Sequence, residues 1–154
     1  MKVGLAWAGN PLHHKDRIRS IPLKTLLPLL SVEGVDFFSL QMDRASEQLR
    51  DLPEPLRIVD HTAALGDFAD TAALLTQLDL VISVDTAIIH LAGALGRPVW
   101  ALLATVSDWR WMLQRNDSPW YPTMRLFRQS RIMDWEPVIA EVREQLELLA
   151  RGVA

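Results

Sequence analysis

With 154 residues and a net charge of −3, the chain is long enough for one hydrophobic core of ordinary size and short of two, and it lacks the basic excess that nucleic acid requires. Lys and Arg are scattered except at Lys15, Arg17 and Arg19, a cluster that suits a local anion better than a long polyanion. Cysteine is absent, which excludes a disulfide, a thiolate nucleophile and a Cys-based metal site, and no stretch approaches the roughly 18 apolar residues of a membrane span.

Met1 leads directly into a strand-like VGLAW instead of a signal peptide, so a cytoplasmic protein is expected. Val3 to Ala8 reads as a buried strand ended by the turn Gly9-Asn10-Pro11, and a polar, basic stretch from His13 to Ser20 follows. Ile21 to Leu30 should be helical, with Pro22 near its first turn and Pro28 demanding a kink or an early end. Val35 to Leu40 is a second strand from whose end Gln41 emerges, Ala45 to Leu52 a short helix, and Leu56 to Val59 a third strand. A loop from Asp60 to Phe68 precedes an amphipathic helix over Ala69 to Leu78.

Asp79 to Ile82 is the fourth strand, and it runs without a linker through Ser83, Val84, Asp85 and Thr86 into apolar residues at helical spacing: Ile88, Leu91, Ala92 and Leu95. Gly96, Arg97 and Pro98 punctuate the helix end, so its start lies near Thr86. A helix start offers amides without internal partners and a partial positive charge, which together form a seat for an anion. The same residues are also met by an ordinary Asp/Thr cap with His90 facing a neighbour.

Val99 to Leu103 is the fifth strand. After it comes an aromatic loop, SDWRWMLQRNDSPWYP, carrying three of the six tryptophans; Met124 to Arg128 is a sixth strand, and Trp135 to Ala150 an amphipathic helix. Strands alternating with helices imply one α/β domain over residues 1–154, a three-layer doubly wound Rossmann-like parallel sheet of about six strands. Loops after successive strands then converge at the carboxyl edge of the sheet, which is also where such folds bind ligands.

The chemistry available at that edge is limited. G-x-G-x-x-G and G-x-x-x-x-G-K-[ST] are both missing, which disfavours a dinucleotide or Walker-type site, and no G-x-S-x-G elbow occurs. None of the four histidines has zinc-helix spacing, so no metal and no cofactor are expected. Asp85 and His90 are five apart, which does not place them on one helix face, and a catalytic dyad draws little support from spacing. Gly9 and Asn10 suit close backbone approach to a ligand or a plain turn. For most of the aromatic loop, packing in the core or at an interface is expected; an exposed remainder would mark a partner surface.

The segments VGLAWAGNP, SLQ, DTAALLTQLDLVISVDTAIIHLAGALGRPVWALL and DWRW resemble the carboxyl-terminal half of a GT-B glycosyltransferase. The similarity is to the heptosyltransferase-like domains that follow tetratricopeptide repeats in bacterial proteins, and D-T-[AG]-x-x-H-L-A-x-A-x-G-x-P is its specific part. The resemblance implies that Thr86 and Ala87 contact the diphosphate of a nucleotide-sugar donor, that Asp85 contacts the sugar, and that His90 supports the turn or the ligand. It also implies a first-loop cation, for which Lys15 and Arg17 are the nearest matches. Ala87 stands where Gly is common in that family.

The amino-terminal half of such an enzyme, which carries acceptor contacts and the general base, is not in this sequence. Alone, the chain should bind a donor and not transfer its sugar. The expected site is therefore Gly9, Asn10, Lys15, Arg17, Gln41, Asp85, Thr86, Ala87 and His90. The expected partners are the nucleotide-diphosphate sugar and an N-terminal half or tetratricopeptide-repeat domain. The rival expectation is a non-catalytic scaffold whose tryptophan-rich loop docks on such repeats.

Overall fold

A computed structural model describes residues 1–152. Five strands form one parallel sheet: β1 (Lys2–Ala6), β2 (Asp36–Ser39), β3 (Leu80–Val84), β4 (Val99–Leu103) and β5 (Met124–Arg128), in the order β2-β1-β3-β4-β5. The helices are α1 (Asp16–Arg19), α2 (Leu27–Leu30), α3 (Phe68–Thr76), α4 (Ala87–Ala94) and α5 (Glu136–Ala150).

Every residue of β3 and β4 is buried, as a parallel sheet covered on both faces requires. Alternation divides the strands between two cores. Leu80, Ile82, Val84, Trp100, Leu102 and Phe127 face α2 and α5, where Val138, Val142 and Leu146 complete one cluster. Val81, Val99, Ala101, Leu103 and Leu126 face α3 and α4, packing with Leu75, Ile88, Ile89 and Ala92. These are the three layers expected of a doubly wound domain.

The third expected strand, Leu56 to Val59, shrinks to a single parallel bridge between Val59 and Phe38 on the outer side of β2. Val59 donates to Phe37 O and accepts from the Ser39 amide, both at 2.8 Å, but the Leu56 amide is drawn back to Pro53 O at 2.9 Å. A segment whose first amide closes a local turn has few left for a ladder. Pro28 falls in the first turn of α2, preceded by a 3-10 turn over Leu23–Leu26, so the expected helix is split where a proline can be accommodated. The short helix after β2 is likewise 3-10, Arg44–Asp51, capped by the Asp43 carboxylate on the Ala45 amide.

Chain direction across the sheet reverses between β1 and β3: β2 lies beyond β1 on one side, β4 and β5 beyond β3 on the other. Connections leaving these two neighbours diverge, and the gap between them is the crevice in which open α/β sheets bind ligands.

Candidate functional site

Two clefts open at that crevice and share a wall made of Arg19, Thr86 and Ala87. The first, about 530 Å³, mixes charged and polar side chains (His13, His14, Lys15, Asp85, His90, Asp108 and Arg110) with apolar ones such as Ile18 and Val106. The second, about 430 Å³, runs along the ends of β1 and β2, past Gly9, Asn10, Gln41, Met42, Asp43 and Phe68.

Thr86 is the N-cap of α4, with extended backbone and a hydroxyl accepting from the Ile88 amide at 3.3 Å. Ser83 Oγ lies 3.3 Å from the same hydroxyl. The cap satisfies one of the helix's first amides and leaves that of Ala87 at the wall between the clefts, without an acceptor among the described residues.

Arg19 ties the first loop to this turn. Its Nη1 donates to Asp85 O at 2.9 Å and its Nε to Asp16 Oδ1 at 3.3 Å. Ser20 Oγ donates to the same carboxylate at 2.8 Å and accepts from the Gly9 amide at 2.9 Å, so loop, α1 and the β3–α4 turn form one network. A Cβ at Gly9 would stand 2.6 Å from Arg19 Cζ, which gives that glycine its physical reason: the guanidinium lies flat against the backbone. Lys15 is four residues before Arg19 and lines the first cleft with it, whereas Arg17, two residues on from Lys15, is exposed and borders neither cleft. A four-residue helix displays too little period for the sequence to single out Arg19 from its neighbours.

Gln41 is buried at the end of β2 and its amide is fully occupied within the protein. Its Oε1 accepts from the amides of Trp7 at 3.0 Å and Ala8 at 2.9 Å, and its Nε2 donates to Ala8 O at 3.0 Å and Asp43 Oδ1 at 2.8 Å. Gln41 therefore shapes the β1 loop from beneath. Asn10 lines the second cleft while its Oδ1 accepts from the Leu12 amide at 2.9 Å.

Asp85 and His90 do come together: Oδ1 and Nε2 are 3.9 Å apart. Asp85 precedes the cap, so helical spacing does not govern it. The other carboxylate oxygen accepts from Trp111 Nε1 at 2.9 Å, and the Trp111 ring, fully buried, stacks on the His90 imidazole at 5.3 Å and 22°. Nothing local in the sequence announces this contact between residues 26 positions apart. The segment holding Trp111 is a 3-10 turn, Trp109–Trp111, capped by Asp108, whose carboxylate also lies 3.4 Å from Arg110 Nη1. Arg128 grips it from β5 by donating to Ser107 Oγ and to the carbonyls of Trp111 at 3.0 Å and Met112 at 3.1 Å.

Residues 24–132 match glycosyltransferase family 9 (heptosyltransferase). The chain belongs to this family. It is also 34% identical over 149 residues to Protein FlbA of Caulobacter vibrioides, a match covering 94% of this chain and 25% of that protein. The chain thus spans about a quarter of the length of the curated relative it matches. Within the family-9 domain the matched span includes the whole Thr86 turn and the aromatic loop, while the first loop with Lys15 and Arg19 precedes it.

Burial pushes the His90 imidazole below its ordinary value of 6.5; Asp85 pulls it up, Arg110 reinforces the lowering, and Asp108 opposes it. A pKa below that of the unfolded chain means that unfolding takes up a proton just under pH 6.5, so the stability contributed by this group is present above that pH and is lost as the pH falls through the folded value. The stability of the wild type should therefore fall relative to His90→Gln between about pH 7 and about pH 5. Denaturant titrations of both proteins at each pH measure the difference, and a constant difference would contradict the lowering. Among the described residues no cluster of His, Asp and Glu is arranged to hold a metal ion, and no helix is long and apolar enough to cross a membrane.

Proposed function

We propose that this family-9 domain is the donor-binding half of a GT-B glycosyltransferase, seating the diphosphate of a nucleotide-sugar at the wall between the two clefts. The observation that carries the reading is the meeting of the α4 start at Thr86 and Ala87 with the Arg19 guanidinium at one point. Helix dipole, uncommitted amide and cation all favour the same ligand charge there. They would also stabilise charge building on a departing diphosphate, without a metal. Lys15 from α1's N-terminal flank and Arg110 from the aromatic loop add positive charge to the first cleft.

Asp85 Oδ1 and His90 Nε2, side by side in that cleft, suit a hydroxyl of the transferred sugar. Transfer further needs a base within reach of the acceptor hydroxyl. In this reading an N-terminal companion half supplies it, and this chain by itself binds donor without turnover. Calorimetry with ADP, UDP and GDP on the wild type and on Thr86→Trp tests the seat. Heat from at least one nucleotide in the wild type, abolished in a variant that keeps its circular dichroism spectrum, is the expected result; equal heats would remove the seat from Thr86.

A second reading is favoured by a specific feature of the aromatic loop. Trp109 and Trp120 are 75% and 53% exposed, edge-on to each other at 6.5 Å, on a segment already held by Arg128. Paired exposed indoles suit a partner surface, and a tetratricopeptide-repeat domain is the partner proposed. If the domain is such a scaffold, Trp109→Ala with Trp120→Ala abolishes capture by that repeat domain while nucleotide heats stay absent from wild type and variant alike.

A further inference from the structure

Tyr121 reaches His90 from the far end of the aromatic loop, and α4 is built to admit it: a Cβ at Gly93 would stand 2.6 Å from Tyr121 Cγ. The phenol oxygen lies 3.0 Å from His90 Nδ1, with the rings 5.7 Å apart and edge-on at 62°. On the opposite side of the imidazole, Nε2 faces Asp85 Oδ1. A neutral imidazole has one N–H and one lone pair, so whatever meets one nitrogen decides what the other presents. A carboxylate beside Nε2 favours the proton there, which leaves Nδ1 as a lone pair for the hydroxyl to bond.

We propose that Tyr121 is a positioning residue for the donor site: its hydroxyl donates to Nδ1 of His90 and so fixes the imidazole as the Nε2–H tautomer, turned toward Asp85 and the cleft. This rests on the donor-binding reading above. Trp111, stacked on the imidazole face, sets the plane of the ring; the Asp85 carboxylate favours the proton on Nε2, and the Tyr121 hydroxyl, by donating to the lone pair left on Nδ1, holds it there. The result is a donor and an acceptor next to each other, His90 Nε2–H and Asp85 Oδ1, a pair that one ligand hydroxyl can satisfy by accepting from the first and donating to the second. The charged groups facing the ring are Asp85 from the β3–α4 turn and Asp108 and Arg110 from the loop after β4; Tyr121 is the titratable neighbour from the loop's far end.

The test has two parts. Nitrogen-15 NMR of the imidazoles near neutral pH, with the His90 signals assigned from His90→Gln, reads the tautomer in the wild type and in Tyr121→Phe, which keeps the ring against Gly93 and removes only the hydroxyl. The wild type should hold His90 as Nε2–H alone, and Tyr121→Phe should populate Nδ1–H as well. Affinities for ADP-glucose, UDP-glucose and GDP-mannose are then measured on wild type, Tyr121→Phe, His90→Ala and the double variant. Tyr121→Phe should weaken the best-bound probe by roughly three- to tenfold, the weight of one neutral hydrogen bond, and should add nothing in the His90→Ala background. An Nδ1–H wild type, an unchanged tautomer in Tyr121→Phe, or a further loss in the double variant would overturn the assignment. Failure of all three probes to bind would instead overturn the donor-binding reading, with the NMR comparison still deciding what Tyr121 does to His90.

Discussion

Arg19→Met should weaken nucleoside diphosphate binding by roughly 30- to 150-fold, the equivalent of about 2–3 kcal/mol for a charged hydrogen-bonding group. It should also lower stability by about 1–3 kcal/mol, because the Asp85 carbonyl and the Asp16 carboxylate lose their shared donor. Both effects come from one side chain because Arg19 is at once a strut of the β3–α4 turn and part of the wall between the clefts. Arg19→Lys separates them. An ammonium keeps the charge but not the planar fork that reaches Asp16 and Asp85 together, so affinity should recover in part and stability hardly at all. Arg17→Met, on the exposed side of α1, should change neither by more than the few tenths of a kcal/mol typical of surface sites. Calorimetry and urea unfolding across the set measure both quantities. Equal losses at Arg17 and Arg19 would mean that a diffuse basic loop, not a built wall, holds the anion.

The contrast between those two arginines also marks how far the sequence can be read. The start of α4 was legible because every signal for it is local: a strand ending in polar residues, Thr as cap, apolar spacing, then Gly96, whose φ of 67° ends the helix in the left-handed region. Five strands and both faces of the sheet follow from the same kind of pattern, since burial on both sides leaves unbroken apolar runs at β3 and β4. Leu56 to Val59 carries a similar run but lies at the sheet edge after Pro53 and Pro55, and whether it pairs depends on where the Leu56 amide goes. Choosing Arg19 over Arg17 required knowing that the basic stretch turns once as a helix, and four residues are too few to display a period. Trp111, Tyr121 and Arg128 were not readable as supports of the candidate site at all. Each acts through contacts between 16 and 31 residues away along the chain, and composition in a loop says nothing of where its side chains land. Of the three loop tryptophans only Trp111 is buried in the core; Trp109 and Trp120 are the exposed remainder, the part expected to pack at an interface.

Trp111 carries the second large effect. Removing its fully buried ring in Trp111→Ala should cost about 3–5 kcal/mol of stability, from lost burial and the cavity left between α4 and the loop after β4. That variant alone would not distinguish packing from function. Trp111→Phe does: it keeps an aromatic face for His90 and most of the buried area but removes the indole N–H that holds Asp85 Oδ2. A hydrogen bond to a carboxylate is worth about 1.5–3 kcal/mol, so Trp111→Phe should show a loss near the lower end of that range, since the freed oxygen can find water at the cleft. Its effect on ligands should be selective. If Thr86, Ala87 and Arg19 seat the diphosphate and Asp85 meets the sugar, as proposed, bare nucleoside diphosphates should bind nearly as before, while nucleotide-sugars should bind roughly tenfold more weakly, because the Asp85 carboxylate has lost the contact that aims it. Parallel titrations with UDP and UDP-glucose, or whichever base binds, read the ratio. An equal loss for both ligands would show that Trp111 supports the turn as a whole and that Asp85 has no separate role with the sugar.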